Sequence, residues 1–323
     1  MATEDARARN ALVGLDAPGG EPGEQAKRPP TPRLRPAPVR LLVLLVLFTA
    51  VSAVVGAVVT SSAAGKAAGG LLLGLGCAGG AAALYAGAVR VLERRDAAEV
   101  SLHHMPSQLG RGLVVGLGLF TLTLAVIAAA GGYRVTGWGS AGDAVASVGV
   151  MAAVAVTEEV LFRAVLFRVA EELTGTWGAL AVSSAVFGAA HLANPGGTLW
   201  GALAVMVEAG LLLGAAYTLT RSLWLPIGLH WGWNLAEGGI FGASVSGSGH
   251  GPAGLLTGHS TGPAVLTGGA FGPEASVVAV LVCSAATFAL LLVAVRRGRL
   301  RSRTRRSLRG GPSMARAQGT MGA

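Results

Sequence analysis

Eight apolar runs succeed one another along the chain, and they confine it to folds that lipid can solvate. A helix needs about 20 predominantly apolar residues to cross the hydrocarbon core of a bilayer. Such runs lie at 41–62, 68–89, 112–131 and 276–295, and shorter or polar-interrupted ones at 147–170, 177–193, 199–218 and 223–240. Only 13% of the 323 residues are charged, against 52% hydrophobic, whereas soluble domains carry about 25% charged residues. The pattern predicts an all-α polytopic membrane helix bundle of about eight transmembrane helices.

The net charge is +9. A basic balance can serve nucleic acid, but here Lys and Arg gather at the two chain ends and in short loops, not along an aromatic-bearing face. That placement excludes nucleic acid as the expected partner and favours the surface of a lipid bilayer. With the N-terminus inside, Arg40, Arg90, Arg94, Arg95, Arg111, Arg168, Arg221 and the arginines from Arg296 onward fall on the inner side, and only Lys66 and Arg134 fall outside. Eight spans with both termini cytoplasmic satisfy the positive-inside rule. An odd count would put one strongly basic tail on the wrong side.

Composition divides the chain further. Residues 1–40 read as a disordered basic tail, and no cleavable signal peptide is expected because the first apolar run starts at Leu41. Residues 41–146 hold the N-terminal transmembrane helices, and 147–240 hold the polar residues discussed below. Residues 241–275, rich in Gly, Ser, Thr and Pro, predict a flexible outer loop in which His250 and His259 are solvated. The last transmembrane helix is 276–295, and 296–323 form a second basic tail. Cys77 and Cys283 each sit in an apolar run, so neither a disulfide nor a cysteine-based zinc cluster is expected.

Ionisable side chains at the centre of a span cost about 2.5–3.5 kcal/mol each on insertion scales, which makes function the default hypothesis for them. Glu158 and Glu159 fall near the middle of the fourth span, with Arg163 one turn later. Glu159 and Arg163, four apart, share a helix face and can pair. Glu158 is rotated by about 100° from Glu159 and stays available. In the fifth span Phe187 and His191 share a face, and in the seventh so do His230 and Asn234. Together they supply a base, a partner for water and donors for an oxyanion, the inventory for hydrolysing an amide with activated water. No His-Glu-x-x-His zinc motif occurs.

Three segments carry a resemblance. They are Glu158-Glu159-Val160-Leu161-Phe162-Arg163, Phe187-Gly188-Ala189-Ala190-His191 and His230-Trp231-Gly232-Trp233-Asn234. In this order and on separate spans they resemble the motifs of the CPBP family of intramembrane proteases (CAAX protease and bacteriocin-processing, or Abi). The resemblance covers about 147–240 and marks it as a CAAX-protease-like catalytic core. It implies an endopeptidase in which Glu158 activates water, His191 holds it, and His230 and Asn234 stabilise the oxyanion, with Glu159 and Arg163 in support. The expectation is no cofactor; zinc, if bound, would use Glu158, His191 and His230. The expected substrate is a membrane protein or a lipidated or secreted peptide. High Ala, Gly and Arg usage beside this resemblance points to the inner (cytoplasmic) membrane of a bacterium as the plasma membrane concerned.

Two features fit this picture poorly. With simple span edges, His191 lies near the outer end of its helix and His230 near the inner end of its own, so their heights do not match. Glu208, in the sixth span, is a further carboxylate at membrane depth that the motifs do not explain; it reads as a structural hydrogen-bond partner or, as the less favoured alternative, as a residue of a water-filled cavity. The alternative classes are a transporter with polar residues along a path, and a non-catalytic immunity or scaffold protein.

Overall fold

The computed structural model describes residues 36–63, 67–249 and 254–302. Most of 1–40 and of 296–323, and His250, lie outside the described residues. Helices α1 (Ala37–Ala63), α2 (Ala67–Glu93) and α3 (Met105–Ala129) are followed by strand β1 (Tyr133–Trp138). Helix α4 (Ala141–Glu159) runs through a π-helical stretch, Val160–Phe167, into α5 (Arg168–Ala190). Next come α6 (Leu199–Val205), a second π stretch (Met206–Leu211) and α7 (Leu212–Thr220). Helix α8 (Trp224–Asn234) ends in a third π stretch (Leu235–Ile240), and strand β2 (Leu256–Ser260), the short α9 (Ala264–Thr267) and α10 (Val277–Arg296) follow.

Among the described residues six helical runs are long and apolar enough to cross a membrane. One of them, Ala141–Ala193, is 53 residues long, about twice what a bilayer requires. It breaks at Gly175, whose φ of 79° and ψ of 176° no helix contains. Beyond the break the chain runs back on itself: Ser183 Oγ donates to the Phe162 carbonyl at 3.0 Å, and the Phe162 and Phe187 rings meet edge to face. The run therefore holds two helices, the fourth and fifth that the sequence leads one to expect. The expected seventh is helical from Trp224 to Ile240. All eight expected runs are helical, and the molecule is a multi-pass all-α membrane bundle with a small sheet that pairs β1 with β2.

Small residues let the helices approach. Gly112 and Gly116 of α3 lie against the backbone of Leu225–Trp233, and Gly228 and Gly232 of α8 lie against that of Leu109–Leu117. A Cβ at any of the four would strike the partner backbone. Gly70 and Gly74 of α2 meet Ala146 and Gly149 of α4 in the same way. Without a hydrophobic drive between helices in lipid, such close approach supplies the packing energy. Gly116→Val is expected to lower stability by about 1–3 kcal/mol through overpacking, measured as a fall in the unfolding midpoint in detergent; an unchanged midpoint would count against this contact. On the outer faces large apolar side chains stay exposed, among them Leu42 and Val46 on α1, Leu72 on α2 and Phe288 on α10, as lipid contact requires.

One end of the bundle carries a collar of ion pairs. Buried Arg40, at the start of α1, pairs with Glu93 and Glu172 at 3.0 Å each. Arg168 and Arg95 also hold Glu93, at 2.6 and 2.7 Å, and Arg95 holds Glu99 at 2.7 Å. Glu171 takes Arg221 at 2.6 Å and Arg301 at 3.5 Å. The start of α1 and the residues just after α10 thus meet one cluster, as an even number of alternating helices demands. Arg40, Arg95, Arg168 and Arg221, assigned to inner helix ends from the sequence, are gathered here.

The segment 241–275, expected to be an outer loop, is described over 241–249 and 254–275. Its described residues pack against the bundle: Phe271, Glu274 and Ala275 are buried, and Tyr133 Oη donates to the Phe241 carbonyl at 2.6 Å. Strand β2 gives the segment a partner in β1, with Tyr133 opposite Ser260 and Trp138 opposite Leu256. His259 is exposed, as expected.

Candidate active site

Glu158 and Glu159 end α4, where the backbone widens into its first π stretch. Glu159 is wholly buried, and its Oε1 accepts from Arg163 Nη1 at 2.8 Å. The pairing read from the i,i+4 spacing is present. The same Oε1 lies 3.0 Å from His230 Nδ1, a contact between α4 and α8 that spacing within one helix does not reveal. Arg163, also wholly buried, donates through Nη2 to the carbonyls of Ala209 and Gly210 at 3.3 Å each, and its guanidinium carbon stands 4.6 Å from the Phe187 ring centroid. One buried ion pair therefore ties together the helices that carry the three motifs.

The histidine partners fix which nitrogen carries a proton. His191 Nδ1 is 2.7 Å from the Phe187 carbonyl, which can only accept, so Nδ1 is the donor and Nε2 of the neutral ring is left with a lone pair. His230 Nδ1 faces the Glu159 carboxylate and is likewise the donor, leaving Nε2 to face Glu158, whose Oε2 is 3.9 Å away. Glu158 is the more open of the two glutamates, with a side chain 26% exposed. Its Oε2 has no hydrogen-bond partner among the described residues.

The mismatch of heights disappears in three dimensions. Helix α5 runs antiparallel to the π stretch after α4, and Phe162 meets both Ser183 and Phe187. The Phe187 ring in turn lies 4.7 Å from the His191 ring and 6.2 Å from the His230 ring, centroid to centroid. Helix α8 starts at the level of the ion-pair collar, two residues beyond Arg221, where Leu223 N–H bonds the carbonyl of Glu99. His230, seven residues beyond Leu223, then rises by about 10 Å to the level of Glu159. Pro226 does not interrupt α8. It stands in the first turn, where no intrahelical N–H is needed. Asn194 and Pro195 follow the end of the fifth helix, as their sequence suggests.

His191, His230 and Asn234 line one cavity together with Phe187. Glu158 adjoins it through His230. Glu208, Glu274 and Ser246 line it too. Glu208, expected to be structural, thus belongs to the cavity wall. Glu274 accepts from Trp233 Nε1 at 3.0 Å and from Ser246 Oγ at 2.5 Å. Glu237, one turn after Asn234, is wholly buried near Glu274. Sequence reasoning does not single out Glu237, Ser246 or Glu274. Glu237 has a signal, a carboxylate inside an apolar run, whereas nothing in the loop sequence marks Ser246 or Glu274. The three π stretches contain or directly follow Glu159, Glu208 and Asn234, and π turns of this kind are frequent at functional sites.

A zinc ion would need Glu158, His191 and His230 to converge. Among the described residues no three His, Cys, Asp or Glu side chains are arranged to hold a metal ion.

Residues 140–236 match the family model described as type II CAAX prenyl endopeptidase Rce1-like. No curated protein and no solved structure matches the chain. The matched segment spans all three motifs and the helices that bring them together. The family that those motifs resemble is the one whose model matches: residues 140–236 of this membrane protein are similar to the Rce1-like CAAX protease family.

Proposed function

We propose that the chain is an intramembrane endopeptidase that hydrolyses a peptide bond of a membrane-associated protein or peptide with a water activated by Glu158. The observation that carries this reading is the unpaired Glu158 Oε2, set 3.9 Å from His230 Nε2, a separation that one water bonded to both can bridge. Glu158 takes a proton from that water as its oxygen attacks the carbonyl carbon. His191, a donor only through Nδ1, accepts the second water hydrogen at Nε2 and so orients the attack. Asn234 and doubly protonated His230 donate to the tetrahedral oxyanion. Collapse breaks the C–N bond, and the proton held by Glu158 passes to the departing amine. Glu159 and Arg163 are positioning residues that act through His230.

No metal enters these steps. Purified protein stripped with chelator is expected to retain its activity, with less than stoichiometric zinc by elemental analysis; activity lost on chelation and restored by zinc would overturn the metal-free mechanism. The positive-inside rule assigns the ion-pair collar to the cytoplasmic face, and the membrane of this reading is the plasma membrane of a bacterium. The direct test of the reading is cleavage: membrane fragments incubated with wild-type and Glu158→Ala protein should differ in their peptide products, and identical products would refute it.

A further inference from the structure

Glu208 stands near the centre of a membrane-depth helical run, Leu199–Thr220, and is 1% exposed. It lines the cavity that holds His191, His230 and Asn234. Its Oε1 has no hydrogen-bond partner among the described residues, and its carboxyl group otherwise faces the weakly donating thiol of Cys283 and the carboxylate of Glu274. Glu274 differs, because both of its oxygens already accept, from Trp233 and from Ser246. A buried carboxylate without a counter-charge costs several kcal/mol, and a second carboxylate beside it adds repulsion. Among the described residues no Lys or Arg lines the cavity to offset either. Arg163, close by, is committed to Glu159 and to two carbonyls.

The other walls near Glu208 are apolar, from Val205, Leu212 and Leu213. A pocket wall that sets apolar side chains beside an unpaired carboxylate suits a side chain with an aliphatic stem and a cationic head. It suits a purely hydrocarbon group poorly, since that group would bury Glu208 with no donor at all.

We propose that Glu208, backed by Glu274, forms a subsite that binds a lysine or arginine side chain of the substrate next to the scissile bond. The proposal rests on the hydrolytic reading for the position of that bond, but the binding of the cation stands apart from it. Glu208 selects substrate and takes no part in the proton transfers.

The experiment compares peptides that are identical except at one position within three residues of the cleaved bond, carrying Lys, Arg, norleucine or Glu. At one position Lys or Arg is expected to raise kcat/KM of the wild-type protein by about 10–100-fold over norleucine, which has the stem without the charge. In Glu208→Gln that ratio should fall toward one, and in Glu208→Lys the preference should move to the Glu peptide. A Lys-to-norleucine ratio near one at every position in the wild type, which needs no variant to fold, overturns the subsite. So does a ratio that survives Glu208→Gln. Binding of uncleavable reduced-amide versions of the Lys and norleucine peptides gives a second readout. Equal Kd values overturn the subsite, whereas tighter binding of the Lys peptide with no cleavage of any peptide supports the subsite and overturns the hydrolytic reading.

Discussion

Glu158→Gln protein is expected to insert and fold as the wild type does and to hydrolyse its substrate about 10³-fold more slowly, within the 10²–10⁴ that general-base catalysis contributes. The substitution keeps the shape of the side chain and removes only its ability to take a proton. Stability should barely change, because Glu158 is partly exposed and His230 stands 3.9 Å from it. The measurement is kcat on a membrane-reconstituted substrate beside an unfolding midpoint in detergent. Cleavage at the wild-type rate by a folded variant would remove Glu158 from the mechanism and leave Glu159 as the remaining carboxylate of the motif.

Arg163→Ala should have the opposite profile, with a large loss of stability of about 3–5 kcal/mol, the cost of stripping one partner from a buried ion pair. Arg163 and Glu159 are both wholly buried, so the glutamate left behind would keep only His230 as a close partner. The variant also loses two carbonyl contacts and the packing on Phe187. Removing both charges, in Arg163→Ala with Glu159→Ala, is expected to recover part of the loss, since no uncompensated charge then remains. Additive losses in the double variant would show that the pair is not coupled. Because Glu159 holds His230 Nδ1, activity in the single variant should fall further than the loss of folded protein explains.

Much of the site is legible in the sequence. Four-residue spacing pairs Glu159 with Arg163 and sets Glu158 apart, because a helix places i and i+4 on one face. The same rule puts His230 beside Asn234 and Phe187 beside His191. The helical runs are legible as well, because lipid demands long apolar stretches and the chain has few charges with which to interrupt them. Depth is less legible. Counting residues from span edges puts His191 and His230 at different heights, yet both line one cavity.

The sequence by itself determined that this is a polytopic helical membrane protein and which polar residues stand at membrane depth, since both follow from local periodicity and from the cost of burying charge. Only the tertiary structure decided that Glu159 holds His230 as well as Arg163, that one cavity joins His191, His230 and Asn234 to Glu208 and Glu274, and that the loop before α10 supplies a wall of it. The contact of Glu159 with His230 joins residues 71 positions apart, and that of Trp233 with Glu274 joins residues 41 apart. No spacing rule within one helix can encode such contacts, because they depend on how far one helix slides along the next and on the glycines that let the two backbones touch.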